Sequence, residues 1–429
     1  MKTIERISLA LFSSLILIIS VILCLAIFGW INRDFLGNVI STALTDNVVS
    51  KVILAFSIIL TSITFLIYLN QKNKQMIQNR LIRLFVIMSF LLLLFQLIRY
   101  KLFNDVYAIS NLSLFSSYGY VFLLLLIFPL YEVLCVEKDN FLLAVTKIGY
   151  IFIILKLLGW IDYNFLGNAK LFLFLDGDPK ASRIIGSTIL TKMPGTFLNG
   201  YLFAYSVTSI LNKKSKLKNA VGIGILFFYA IFASQSRATV IIYTLVLLIA
   251  ILYKLSSMQA INKVTMSLTF FILITILIIL NWQTIVDFFS TFALNGEYGD
   301  STAIRLYEQN YYFSLWKSNV IFGTGCLPEE IKIGNVSLYL IDMGIQIILY
   351  QFGIIGLFID LIPFGVGISI TIRGILKNRD SWLFQFILSL SSYYLISMLI
   401  FNPYDRVMYM LLPLYLCIIL YMKKAENNI

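Results

Sequence analysis

Four cations, Arg183, Lys192, Arg237 and Arg305, and one carboxylate, Asp342, stand in or beside the polar breaks of an otherwise apolar chain of 429 residues. Dispersed cations can hold a clustered negative charge, and a neutralised pyrophosphate is the better leaving group. A lone carboxylate can take the proton of an attacking hydroxyl. The set suits transfer of a group from a phosphate-type leaving group to a hydroxyl acceptor. The chain contains no histidine, which removes the commonest general base and metal ligand together.

Each of these residues has a plainer reading beside the chemical one. Arg237 lies in "ASQSRATVIIY" at 233–243, a tight polar turn between two apolar runs. It stands just before the first turn of the next helix, where free N–H groups and the helix dipole favour an anion. An arginine snorkelling to headgroups at a helix end leaves the same pattern. Arg305 opens "STAIRLYEQNYYFSLWKSNVIFGTG" at 301–325, whose spacing predicts an amphipathic helix with Ile304, Tyr307, Tyr311 and Leu315 on its apolar face. Arg305, Gln309, Tyr312 and Trp316 then share another face, a cation followed by hydrogen-bonding and stacking groups suited to a sugar. A helix resting on lipid looks similar, and Arg305 with Glu308 also fits a surface i,i+3 pair. "FGTG" at 322–325 reads as a turn that lets the backbone pass close to something. Asp176 and Asp178 mimic a metal-binding DxD, yet "DGDP" is a ready-made turn. Arg183 and Lys192 follow as candidate anion ligands just above an apolar run. Lys147 and Lys156 are expected to snorkel, and Asp360 to pair or hydrogen-bond within a helix bundle.

The elements that position these residues follow from composition. Hydrophobic residues make up 60% of the chain and charged residues 13%, far from the half and quarter typical of soluble domains. A single polytopic membrane domain over 1–429 is expected, all-α in class. Runs of roughly 16–22 apolar residues, long enough for about 30 Å of hydrocarbon, fall near 7–30, 52–69, 84–98, 114–136, 141–160, 197–211, 219–235, 238–253, 264–284, 353–372, 381–401 and 407–422. That predicts about twelve transmembrane helices, with 337–352 a partly inserted or interfacial piece. The first run is read as a retained helix, since no small-residue cleavage site follows it before Trp30.

The net charge of +12 is concentrated in short connections at 70–83, 212–218, 254–263 and 373–380 and in the tail at Lys423 and Lys424. By the positive-inside rule these face the cytoplasm, with both termini, and the charge is no nucleic-acid signal. The two long connections, 161–196 and 285–336, then face outward, and loops of that length usually carry function. Cys24, Cys135 and Cys417 lie in or beside apolar runs, and with Cys326 they form no CxxC or Cys/His cluster, so no metal or thiol redox site is expected. No internal repeat is visible, which lowers a transporter reading. At an outer face lacking nucleotide sugars, a doubly charged lipid pyrophosphate is the anion these cations fit.

In order, "SQSRATV", "STAIRLYEQ…SNVIFGTG" and "IDMGIQIILYQFGIIGL" resemble the O-antigen ligase and Wzy-type polysaccharide polymerase superfamily, over about residues 183–372. The resemblance implies an all-helical, GT-C-like membrane glycosyltransferase of the bacterial cytoplasmic membrane. It implies undecaprenyl-pyrophosphate-linked oligosaccharides as donor and acceptor, with a flippase and a chain-length regulator as partners. It also implies no metal, no cofactor and no nucleotide sugar. Arg237 and Arg305 match the arginines of the family's "SR" turn and loop helix. Lys192 stands where an arginine is usual, and Gly200 replaces a proline in "MPGTFLNGYLFA". Where ligases of the family carry a histidine, eleven residues before the glycine of a "GxxG" element, this chain has Asp342 before Gly353. The resemblance therefore implies a repeat-unit polymerase of O-antigen, capsule or exopolysaccharide, with Asp342 as base and Glu308 as the second candidate. A ligase of finished glycan and a lipid-linked oligosaccharide flippase are the rival readings, and Asp342 as a helix cap is the structural one.

Overall fold

The computed structural model describes residues 46–70, 77, 79–102, 118–175, 182–185, 188–196, 198–256, 299–327, 330–333, 336–339, 343–376, 381–401 and 411–427. The apolar runs near 7–30 and 264–284 lie outside these residues, and each of the others falls on a helix. In chain order the helices are α1 (Asp46–Asn70), α2 (Arg80–Leu102), a 3-10 stretch (Gly119–Leu126) continuing into α3 (Ile127–Leu166), α4 (Ala169–Phe174), α5 (Asn199–Leu211), α6 (Lys216–Phe228), α7 (Arg237–Ser256), α8 (Gly299–Lys317), α9 (Gln346–Leu376), α10 (Trp382–Ser397) and α11 (Leu411–Asn427). Among the described residues, five helical segments are long and apolar enough to cross a membrane: Arg80–Tyr100, Val121–Leu166, Lys216–Ala233, Arg237–Leu255 and Gln346–Leu376. A mostly helical chain with such segments fits a membrane protein.

The exterior of these helices is as apolar as the interior. On α2, Leu84, Ile87, Leu91, Leu94 and Ile98 are exposed at helical spacing, while Ile82, Phe85, Val86, Leu92 and Leu93 are buried. On α3, Ile151, Ile154, Leu158, Ile161 and Phe165 repeat the pattern. A helix hydrophobic on all sides faces lipid on the side it does not pack. Polar groups turn inward instead, as with Gln96, Lys156 and Asp360, all buried. Small residues let the helices approach: Gly200 packs on the Tyr393 ring and Gly367 on the Tyr415 hydroxyl.

Helix interruptions fall at the polar breaks of the sequence. Glu137 leaves helical geometry inside α3 (φ −133°, ψ 47°), at the expected "EKDN" connection. Gly353 does so inside α9 (φ 69°, ψ −166°), at the boundary between the 337–352 piece and the 353–372 run. The second part of α9 is antiparallel to α2. Asn79 and Leu81 at the start of α2 share a groove with Ile370 and Arg373, whereas Gln96 and Arg99 at its other end reach the chain that crosses α9 at Gly353. From Ile354 to Arg373 the helix rises about 29 Å, a bilayer's hydrocarbon thickness.

Two departures from an all-α fold appear, one within the first long connection and one across the end of the second. Strands β1 (Ser182–Ile185) and β2 (Thr188–Thr191) pair antiparallel, Arg183 opposite Leu190, and β3 (Glu330–Ile333) pairs with β4 (Val336–Tyr339), Ile331 opposite Leu338. The cause is local: "SRIIGSTILT" and "EIKIGNVSLY" each place a two-residue Gly-Ser or Gly-Asn connection between β-favouring residues. The second hairpin belongs to a small core of its own, Tyr312, Leu327, Ile331, Leu338, Met343, Ile347 and Tyr350, apart from the main helix core.

Candidate functional site

The "SR" turn is built by a change of helix type. After α6 the chain makes one π turn (Tyr229–Ala233), and Gln235 then adopts φ 50°, a left-handed geometry uncommon for a side chain of this size. Ser236 caps α7, its Oγ accepting from the Thr239 N–H at 3.3 Å, so Arg237 is the first residue of the helix and half-buried. Its backbone thereby stands at the positive end of the α7 dipole, where an anion is favoured.

Against this turn lies the segment after β2. The Met193 N–H donates to the Ala233 carbonyl at 2.8 Å, and Gln235 Nε2 to the Leu190 carbonyl at 2.9 Å. From α3, Trp160 Nε1 donates to the Thr191 carbonyl (2.8 Å), Asn164 Oδ1 accepts from the Thr191 N–H (2.7 Å), and Lys156 Nζ donates to the Pro194 carbonyl (2.9 Å). The Tyr229 hydroxyl reaches the same Pro194 carbonyl at 2.5 Å. Lys192 is thus held between two anchored residues beside the Arg237 turn, and Arg183 lies on the strand paired with that segment. The backbone segments that carry these three residues belong to one unit. Lys156 departs from the snorkelling expectation: it is fully buried and fixes a carbonyl of the loop that carries Lys192.

The α8 region forms a second unit. Arg305 is exposed, as are Ile304 and Tyr307 of the apolar face, whereas Tyr311 and Leu315 of that face pack against the small core. The packing face also carries Glu308, 1% exposed, and Tyr312, fully buried with its ring stacked on Tyr350 at 6.2 Å. Tyr312 is therefore a core residue of the small hairpin-lined cluster and not a side chain presented to a sugar. Helical spacing alone did not distinguish the faces, since tyrosines stand on both. Trp316 is half-buried and donates from Nε1 to the Val320 carbonyl at 3.2 Å. Gln309 Nε2 and the Tyr350 hydroxyl both meet Gln346 Oε1, at 3.3 and 3.2 Å, tying α8 to the start of α9.

"FGTG" passes close to another backbone, namely the break in α9. Ahead of Gly353, the carbonyls of Tyr350 and Gln351 accept from the N–H groups of Thr324 (2.8 Å) and Gly325 (2.9 Å). Beyond it, the N–H groups of Ile354 and Ile355 donate to the carbonyls of Val320 (3.1 Å) and Ile321 (3.3 Å). A broken helix in an apolar setting must have its freed backbone groups satisfied by protein, and this loop does so on both sides of the break. Gln96 Nε2 and an Arg99 guanidinium nitrogen donate to the Phe322 and Gly323 carbonyls at 2.8 Å each, and the Tyr118 hydroxyl accepts from Gln351 Nε2 (2.8 Å) and the Leu327 N–H (3.3 Å). Gln96, Arg99 and Tyr118 were not read as supports of the site from sequence. An isolated Gln and Arg inside an apolar helix are the signal that could have found the first two.

Asp342 lies outside the described residues. Just after it in the chain, Met343 and Gly344 are buried, and the Ile345 N–H donates to the Met398 carbonyl at 2.9 Å. Helix α9 starts at Gln346. Asp176 and Asp178 also lie outside the described residues. Among the described residues no three His, Cys, Asp or Glu side chains converge. Arg237 and Arg305 sit in different packed units, the first on the helix that packs with α5 and α10, the second on the helix that packs with α9 and β4. Comparison of the chain with protein-family models, curated proteins and solved structures gave no match.

Proposed function

We propose that this chain is a repeat-unit polymerase of the bacterial cytoplasmic membrane. It transfers a growing glycan from undecaprenyl pyrophosphate to the terminal sugar of a fresh lipid-linked unit, and it is a GT-C-like enzyme of about twelve spans with both termini inside. One observation carries the reading: the ordered motifs are partners in space. "FGTG" satisfies the break in "IDMGIQIILYQFGIIGL", and "TKMPG" is pinned to the turn that starts "SRATV". Sidedness is supported by α2 and α9, whose shared end carries Arg80, Arg83 and Arg373, while at the other end, with Arg99 and Lys101, the Arg99 guanidinium is engaged by the glycine crossing. The basic end faces the cytoplasm.

In this reading Arg237, Arg305, Arg183 and Lys192 neutralise the pyrophosphate, and Trp316 contributes to the glycan side. Asp342 takes the acceptor hydroxyl's proton as that oxygen attacks the anomeric carbon. The bond from that carbon to the pyrophosphate oxygen breaks, and the lipid pyrophosphate leaves with the electron pair. The test is the lipid-linked glycan of a deletion strain. Accumulation of one repeat unit on lipid at the outer face supports the polymerase. Full-length chains on lipid would mean a ligase, and single units facing the cytoplasm a flippase.

A further inference from the structure

At the basic end of the bundle, α2, α9 and α11 leave a groove of about 290 Å³ between them, lined by Asn79 and Leu81, by Ile362, Gly365, Val366, Ser369, Ile370 and Arg373, and by Lys423. The α9 positions recur at steps of three and four, so they form one stripe along the helix. Its length from Ile362 to Arg373 is about 16 Å, close to the hydrocarbon depth of a single leaflet. The stripe is apolar at one end and cationic at the other. Gly365 opens it: a side chain there would meet nothing within 4 Å. Of the two cations lining it, Arg373 on α9 is exposed and Lys423 on α11 is half-buried.

We propose that this groove binds one anionic phospholipid, an acyl chain lying along Gly365, Val366 and Ile370 and the phosphate between Arg373 and Lys423. The occupant follows from the pairing of a leaflet-length apolar channel with two cations at its headgroup end. A zwitterionic lipid satisfies the channel but leaves the cations less neutralised, and a free phosphate satisfies the cations but not the channel. Basic pockets between helices on the cytoplasmic side favour such headgroups. The inference rests on the membrane reading alone, not on the glycosyl-transfer chemistry.

The test is native mass spectrometry of the detergent-purified full chain, titrated with phosphatidylglycerol, phosphatidylcholine or inorganic phosphate. One phosphatidylglycerol should bind in preference to phosphatidylcholine. Each cation at an anionic headgroup is worth about fivefold, so Arg373→Gln with Lys423→Gln should cut retention about 25-fold. Gly365→Leu should abolish retention by filling the channel, while Gly224→Leu, at another helical glycine with open space around it, should leave it intact. Equal retention of the two lipids, a Gly365→Leu variant that still holds phosphatidylglycerol, or inorganic phosphate competing it away would each overturn the proposal.

Discussion

Gly323 and Gly353 meet backbone to backbone: a Cβ built on either would lie 2.5 Å from the amide nitrogen of the other. Both have positive φ, 71° and 69°. The break in α9 and the turn that fills it are therefore one feature, which neither glycine makes alone.

That relationship predicts a coupled loss. Gly323→Ala and Gly353→Ala should each destabilise by at least about 1–3 kcal/mol from the backbone geometry alone, with added overlap on a rigid partner. Gly365→Ala, inside a helix with open space around it, should stabilise by about 0.5–1 kcal/mol. Melting of the detergent-solubilised protein measures all three. An unchanged melting temperature for both crossing variants would show that the loop can leave the break without cost.

Lys156 and Tyr229 share the Pro194 carbonyl. Removing one donor, by Lys156→Met or Tyr229→Phe, should cost about 1–3 kcal/mol. The double variant should lose more than the sum, because the remaining donor still satisfies the carbonyl in each single variant and only the double leaves it without a partner. Because the loop carries Lys192, polymer length should shorten in step with the stability loss. A snorkelling Lys156 would tolerate methionine without either effect.

For the anion-holding arginines, Arg237→Ala and Arg305→Ala should each abolish long-chain glycan at unchanged membrane protein level. Lysine at either position should rescue partly, because a point charge cannot reproduce bidentate phosphate contacts. Normal chain lengths in both alanine variants would return these residues to a purely structural account.

Asp342→Asn keeps shape while removing the proton acceptor, so turnover should fall about 10²–10⁴-fold. Lipid-linked single repeats should accumulate, and the purified variant should still bind its pyrophosphate donor. Asp342→Glu should retain part of the activity. Near-normal polymer from Asp342→Asn would move the base to Glu308, with Glu308→Gln as the next substitution.

Reporter fusions after Lys214 and Lys377 should report cytoplasm, and those after Asp178 and Glu297 exterior. A cytoplasmic signal from either long connection would place the cations on the wrong side of the membrane for lipid-linked glycan transfer.

The apolar runs, their breaks and the charge of the short connections were legible in the sequence because lipid imposes length and composition on each helix separately. The boundary at Gly353 was visible on the same ground, and so was the close backbone approach of "FGTG". The hairpins were legible in principle from Gly186-Ser187 and Gly334-Asn335, which stand as two-residue turns between β-favouring runs. What the sequence could not show is which partner each polar group takes. Lys156 at a helix end looks like a snorkelling cation until the Pro194 carbonyl is placed against it, and Tyr312 looks presentable to a sugar until Tyr350 stacks on it. Which glycine crosses which helix, and which tyrosine face is covered, are set by contacts between segments far apart in the chain. Those contacts depend on the packing of the whole bundle and not on any local pattern.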